Sequence, residues 1–178
     1  MGHLRFLVPV LILSLLLTAC GTSDPPPAAS EVLTAMLAAM EDTAQPLPDG
    51  MIRLTAAPAE SPHALTETFF SALYGEAARG LLGEGSDAAP PVQDFALFLA
   101  VSLYPCELGV FRCADETTAG EVAALCRGRL DTLAKGFAGS EYAVIASGGR
   151  VAVSGNWVIL ALCEDPTPVL EAARRFVG

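Results

Sequence analysis

Residues 106–137 read CELGVFRCADETTAGEVAALCRGRLDTLAKGF, and they predict a strand that leads directly into a helix. The first eight residues form the strand, and Asp115 stands where a side chain caps a helix start. Apolar residues then recur at helical spacing on one face; they are Val122, Leu125, Cys126, Leu130, Leu133 and Phe137. Another strand precedes this unit, because apolar residues alternate from Phe95 to Leu103. We expect the two strands to pair antiparallel.

The same order of elements returns fifty residues later. Shifting the sequence by that distance aligns CADETTAGEVA with CEDPTPVLEAA, and it places Cys113 on Cys163, Asp115 on Asp165, Thr117 on Thr167 and Glu121 on Glu171. Capping chemistry alone explains the match, because an aspartate cap and a glutamate near the positive helix end suit any strand that leads into a helix. Internal duplication is the alternative interpretation.

Further elements lie on both sides of these units. Before them, Leu33 to Met40 show helical spacing with Ser30 as the cap, MIRLT reads as a short strand, and LTETFFSALYG reads as a helix that ends at Gly75. After the long helix, YAVIA, RVAVS and WVILALC are strand-like and are separated by the glycine turns SGG and GN. A closing helix runs from about Pro166 to Val177.

These elements predict one α+β domain over residues 30–178, best defined from residue 92. Its core is a mainly antiparallel sheet with helices packed on one face. The order is strand-strand-helix twice, preceded by one or two helices.

The first nineteen residues have the form of a secretory signal. Their apolar run from Phe6 to Leu17 is too short for a membrane span, which needs about 20 residues. Leu17-Thr18-Ala19-Cys20 resembles the lipobox of bacterial lipoproteins, which implies cleavage before Cys20 and a diacylglycerol on its thiol. Residues 20–29 are rich in proline and small residues, and they predict an extended tether.

The charge balance excludes several kinds of partner. The chain has 10 basic and 20 acidic residues, and removing residues 1–19 deletes only Arg5, so the formal charge moves from -10 to -11. Nucleic acids and anionic lipid surfaces bind through basic patches, and this composition predicts neither as a partner. We therefore expect the lipid anchor, and not charge, to hold the protein at the membrane.

No motif for catalysis, metal binding or a cofactor stands out. His63 is the only histidine after residue 19, and no G-x-S-x-G elbow accompanies it. Glu107 and Glu141 have no sequence partner that suggests an acid and base pair. Trp157 and Tyr142 suggest either a ligand-binding face or ordinary packing. We therefore predict no catalytic residues, no metal site and no cofactor.

Four cysteines follow Cys20, and their spacing matches no zinc motif. Export would permit disulfides. Because the helix after Cys113 turns back alongside the preceding strand, Cys126 is expected near Cys106. In the repeated pattern Cys113 and Cys163 end neighbouring strands, so the favoured one of three pairings joins Cys106 with Cys126 and Cys113 with Cys163. Four buried free thiols are the alternative.

The chain resembles the bacterial lipoproteins grouped as domain of unknown function 4358. The likeness lies in the lipobox, in SALYG at 71–75, in ELGVF at 107–111, in the helix that carries Arg129, and in GNWV at 155–158. It covers about residues 30–177. Four cysteines and the alanine-rich loop at 76–91 depart from the pattern. The resemblance implies this order of elements and a place at a membrane, without implying a reaction.

The sequence therefore predicts an extracytoplasmic lipoprotein that is attached to a cell membrane through Cys20. Its domain is expected to be non-enzymatic and to bind an envelope protein or a small ligand. The alternatives are a small envelope hydrolase that uses His63 and carboxylates, and a structural spacer without a specific partner.

Overall fold

A computed structural model of the chain describes residues 25–48, 50–57, 61–100 and 103–178. Its elements in chain order are α1 (Ala29–Asp42), β1 (Met51–Thr55), α2 (Glu67–Tyr74), a 3₁₀ turn (Glu76–Ala78), β2 (Val92–Ala100), β3 (Glu107–Cys113), α3 (Glu116–Gly136), α4 (Ala143–Ser147), β4 (Arg150–Ser154), β5 (Trp157–Leu162) and α5 (Pro166–Val177). The predicted signal peptide and Cys20 lie outside the described residues. Among the helices described, none is long and apolar enough to cross a bilayer.

The strands form one antiparallel sheet in the order β1-β2-β3-β5-β4. Central strand β3 pairs with β2 on one side, where Val110 lies opposite Ala96, and with β5 on the other, where Val110 lies opposite Ile159. Strands β4 and β5 are joined by the turn Gly155-Asn156, in which Gly155 has a φ of 53° that favours glycine. The predicted α+β class and the antiparallel sheet are confirmed.

Helices cover both faces of the sheet, whereas the sequence predicted helices on one face only. On one side, α2 and α3 enclose a core that we name the α3 core; it includes Phe70, Leu97, Phe111, Val122, Cys126 and Leu160. On the other, α1 and α5 enclose the α1–α5 core, which includes Leu33, Met36, Leu108, Ile159, Val169 and Ala173. Both faces need a helical cover because strand β5, inside the sheet, is apolar on both sides. Every residue of Trp157–Leu162 is buried, so β5 has no polar face to leave in water.

Both strand-strand-helix units are present, and an aspartate caps each helix. Asp115 Oδ1 accepts the Thr118 N–H at 2.7 Å, and Asp165 Oδ1 accepts the Thr167 N–H at 2.9 Å. If the two units were duplicates, a twofold axis perpendicular to the sheet would relate strands β2 and β3 to strands β4 and β5. Such an axis would place α3 and α5 on the same face of the sheet. Because α3 and α5 lie on opposite faces, the matched sequence reflects shared capping chemistry.

Helix α1 begins one residue before the predicted cap at Ser30. Its N-cap is Ala28, which has no side-chain oxygen to offer. Asp94 on β2 supplies one instead, since its Oδ2 accepts the Ala29 N–H at 2.8 Å. Glu31 Oε2 accepts the Ala28 N–H at 3.1 Å. The start of α1 is thereby bound to the sheet.

The strand predicted at YAVIA is wrong, because Ala143–Ser147 form the short helix α4 and Tyr142 is its N-cap. Its Ala146 is buried, while Val144 is 82% exposed. The glycines after it end the helix and lead into β4, and they make no hairpin. Packing against α3 decides this segment over the strand propensity of valine and isoleucine.

Candidate functional site

A buried polar network joins three elements of the α3 side. Glu107, the first residue of β3, accepts a hydrogen bond from the Tyr74 hydroxyl at 3.0 Å through Oε1. Its Oε2 lies 3.0 Å from both Nε and Nη2 of Arg129 on α3. Glu107 is 3% exposed. Burying a carboxylate is costly unless it is paired, and here both oxygens have partners.

Tyr74 is the neutral donor of this network. Complete burial, followed by the negative charge of Glu107, raises the pKa of the Tyr74 hydroxyl well above its usual 10.0. Its ring packs between Phe70 and Phe111, with centroid distances of 4.8 and 5.9 Å. The hydroxyl is therefore held in place and protonated at neutral pH.

Neither partner of Glu107 is evident from the sequence, because Tyr74 and Arg129 lie 33 and 22 residues away. A signal was present: Glu107 is the only charged residue in the apolar stretch CELGVF. An acid at the start of a buried strand requires a partner from another element.

A small cavity of about 50 Å³ adjoins the network. Glu107, Arg129, Tyr104 and Cys106 contribute to its lining. The volume accommodates a few water molecules and is far below the several hundred Å³ typical of ligand pockets. We conclude that the network holds α2, α3 and β3 together, and that it is not a substrate site.

A larger concave surface lies between α3 and the segment formed by α4 and β4. We name it the arginine groove; it has a volume of about 540 Å³ and is lined by Arg127, Leu130, Asp131, Ala134, Ala146, Ser147, Gly149, Arg150 and Val151. Leu130 and Ala146 are buried and form an apolar floor. Arg127 and Arg150 are exposed at its edge. The volume falls within the range of small-molecule sites.

Both guanidinium groups of this groove are free of ion pairs with the described residues; Arg150 makes only a long contact to the carbonyl of its neighbour Gly149, at 3.5 Å. Among the described residues that line the groove, Asp131 is the only acid, so these residues carry one net positive charge in a chain of formal charge -10. Guanidinium groups bind carboxylates and phosphates through paired hydrogen bonds. The groove is suited to an anionic group with an apolar part.

Gly149 sets the shape of the groove floor. A Cβ atom at this position would lie 2.6 Å from Leu130 Cδ2 and 3.1 Å from Leu162 Cδ1. A larger residue at position 149 would therefore require the buried side chains of Leu130 and Leu162 to move.

A second groove, of about 510 Å³, lies beside α1 and includes Ser30, Thr34 and Arg53. The guanidinium group of Arg53 in this groove already makes two hydrogen bonds. Its Nη2 donates to the Ser30 carbonyl at 3.0 Å and to Thr34 Oγ1 at 2.9 Å. Arg53 thus binds β1 to α1, and this surface offers less for an anion than the arginine groove.

The residues considered for catalysis are not brought together. His63 is exposed in a loop, where its N–H donates to Ser61 Oγ at 3.2 Å. Glu141 is exposed in a different loop, and Glu107 is engaged in the buried network. Trp157 is 6% exposed in the α1–α5 core, so the packing alternative is confirmed for it. Among the described residues, no group of three or more acids, histidines or cysteines could hold a metal ion.

The four cysteines of the domain are buried, and each carries a free thiol in this structure. Cys113 and Cys126 lie in the α3 core, whereas Cys106 and Cys163 lie in the α1–α5 core. The favoured pairing joined Cys106 with Cys126 and Cys113 with Cys163, and the structure contradicts it because each bridge would have to cross the sheet.

We compared the chain with protein-family models, with curated proteins and with solved structures, and none of the three comparisons finds a match. The class is therefore defined by the structure: an α+β protein with an open antiparallel sheet between two helical layers. The resemblance to domain of unknown function 4358 stays a prediction.

Proposed function

We propose that this protein is a bacterial lipoprotein, attached to the outer side of a membrane through Cys20, whose domain binds an anionic ligand or an anionic segment of an envelope protein in the arginine groove. The anchor is supported by the sequence Leu17-Thr18-Ala19-Cys20 after a short apolar run. Acyl chains on Cys20 would hold the protein firmly without a membrane-spanning helix.

The observation that carries the binding function is the pair of arginines above an apolar floor, neither of which forms an ion pair with any residue that the structure describes. Arg127 comes from α3 and Arg150 from β4, so the two elements together present both cations to one concave surface. A ligand with a carboxylate or phosphate and an apolar body matches this arrangement.

The geometry gives no support to a hydrolase that uses His63. Within the described residues, the only hydrogen bonds of His63 are made by its backbone, to Ser61 and to Thr55. General acid and base catalysis requires an acid and a base within reach of the same substrate.

The anchor is tested by Cys20→Ser in the full chain expressed in its bacterial host. We expect the wild type in the membrane fraction and the variant to lose firm attachment, with its signal uncleaved by the lipoprotein route. A variant that is acylated and cleaved like the wild type would refute the anchor.

The groove is tested by NMR titration of the detergent-solubilised protein with benzoate and, separately, with phenyl phosphate, each of which carries an anionic group on an apolar ring. We expect saturable shifts of the Ser147, Gly149 and Arg150 amides with at least one of them, and comparison of the two identifies the preferred anion. Arg127→Ala/Arg150→Ala should abolish the shifts, while Arg175→Ala, at an exposed position of α5, should retain them. Equal shifts in both variants, or none in the wild type with either anion, would contradict the groove.

A further inference from the structure

Cys106 and Cys163 lie at adjoining ends of two paired strands. Cys106 comes directly before β3, and Cys163 comes directly after β5. Both are buried in the α1–α5 core, with exposures of 3% and 1%. The two thiols therefore share one apolar environment on one face of the sheet.

The strand register places these cysteines opposite each other. Leu108 pairs with Ala161 and Glu107 pairs with Leu162. One step further along the same antiparallel ladder, Cys106 is opposite Cys163. No other pair among the four cysteines is related by the strand register in this way.

Backbone hydrogen bonds show whether Cys106 and Cys163 occupy a hydrogen-bonded or a non-hydrogen-bonded position of the antiparallel ladder. The Cys106 carbonyl accepts the Ala100 N–H at 2.9 Å, so the backbone of Cys106 is turned toward β2 and away from β5. At the other end of β3, the Cys113 N–H donates to the Asn156 carbonyl at 2.8 Å, as alternation along the strand requires. Cys106 and Cys163 thus occupy a non-hydrogen-bonded position. There the Cα atoms are about 4.5 Å apart, within the range of about 4.4–6.8 Å that disulfides span.

We propose that Cys106 and Cys163 form a cross-strand disulfide in the exported protein, an inference that rests on the proposed export for its oxidising compartment. The two thiols together lose two protons and two electrons as the sulfur–sulfur bond forms. The oxidant is the disulfide of an envelope thiol oxidoreductase, or of oxidised glutathione in vitro, which is reduced to two thiols.

The chemistry of the folded domain sets when this bridge forms. Burial raises the pKa of Cys106 and of Cys163 to about 12, so both remain protonated at neutral pH. Thiolates are the reactive species in disulfide exchange. The bridge therefore forms while the chain folds, before α1 and α5 cover the sheet, and it resists exchange afterwards.

The bridge is tested by non-reducing peptide mapping of the full chain after acid quenching of cells and alkylation of free thiols. We expect a linked pair of peptides that contain Cys106 and Cys163. The Cys113→Ala/Cys126→Ala control should keep this link, and Cys106→Ala/Cys163→Ala should lose it. Reduction should lower the melting temperature of the first variant by about 5–10 °C and leave that of the second unchanged.

A parallel arm separates the bridge from the export. The purified full chain is refolded in detergent with reduced and oxidised glutathione and then mapped. Alkylated Cys106 and Cys163 after this refolding would overturn the bridge. A bridge in the refolded chain together with alkylated thiols in cells overturns the export if the same map shows an unmodified Cys20, and it overturns the bridge in the exported protein if Cys20 is acylated.

Discussion

Arg129 in the middle of α3 contacts Glu107 at the start of β3, with Nε and Nη2 each 3.0 Å from Oε2. The side chain of Glu107 is 4% exposed and that of Arg129 is 21% exposed, so water screens this ion pair weakly. The contact fixes the helix along the central strand, and the next residues of α3 form one wall of the arginine groove.

Loss of the arginine should leave a buried carboxylate without its cation. We expect Arg129→Ala to lower the free energy of unfolding by about 3 kcal/mol, measured by urea denaturation. Arg127→Ala, an exposed position on the same helix, should change it by no more than about 0.5 kcal/mol. Equal losses in the two variants would contradict the role given to this pair. Replacing Glu107 and Arg129 by leucine together with Tyr74→Phe, so that no buried hydroxyl loses its acceptor, should recover most of the loss.

Stability should fall at alkaline pH, and Tyr74 should contribute to this fall. Burial and then Glu107 hold the Tyr74 pKa well above 10.0, so above pH 10 the unfolded chain loses a proton that the folded chain keeps. The contribution of this group is present in full below pH 10 and decreases by up to about 1.4 kcal/mol per pH unit above it. Tyr74→Phe should reduce the slope of unfolding free energy against pH above pH 10, measured by urea denaturation at several pH values. An unchanged slope in Tyr74→Phe would rule out this contribution.

The floor of the groove should reject a side chain at Gly149. Gly149→Ala places a methyl group 2.6 Å from Leu130 Cδ2, and we expect a loss of about 1–3 kcal/mol in unfolding free energy. Gly128→Ala on α3 is the matched control. A Cβ atom there has nothing within 4 Å, so helix propensity should make that variant more stable by up to about 1 kcal/mol. Thermal and urea unfolding of both variants measure the difference, and a stabilised Gly149→Ala would refute the close approach.

Asp94 should act as the cap that Ala28 lacks. Asp94→Ala removes the acceptor of the Ala29 N–H, and we expect a loss of about 1 kcal/mol in unfolding free energy. Asp87→Ala, in an exposed loop, controls for the loss of charge. Hydrogen exchange at the Ala29 amide should become faster in Asp94→Ala alone, and unchanged protection there would contradict the cap.

Local sequence signals predicted most of the elements. Asp115 and Asp165 cap the helices as expected, because capping depends on residues within one turn. The prediction for YAVIA was wrong because this segment depends on a non-local contact. Packing of α4, which carries the buried Ala146, against α3 outweighs the local strand propensity.

Relationships across the sheet were harder to predict. The run WVILAL, apolar at every position, indicates a strand covered on both faces, and this signal was present in the sequence. The meeting of Tyr74, Glu107 and Arg129, and the separation of Cys106 from Cys126, depend on which face each helix covers. The packing of the whole domain determines which face each helix covers, and no short stretch of the sequence indicates it.

The central claim, a lipid-anchored domain, is tested most directly by mass spectrometry of the N-terminal peptide of the protein purified from membranes. We predict a mature chain that begins at Cys20 and carries a diacylglyceryl group on its sulfur. A chain that retains residues 1–19, or that carries an unmodified Cys20 thiol, would contradict the account.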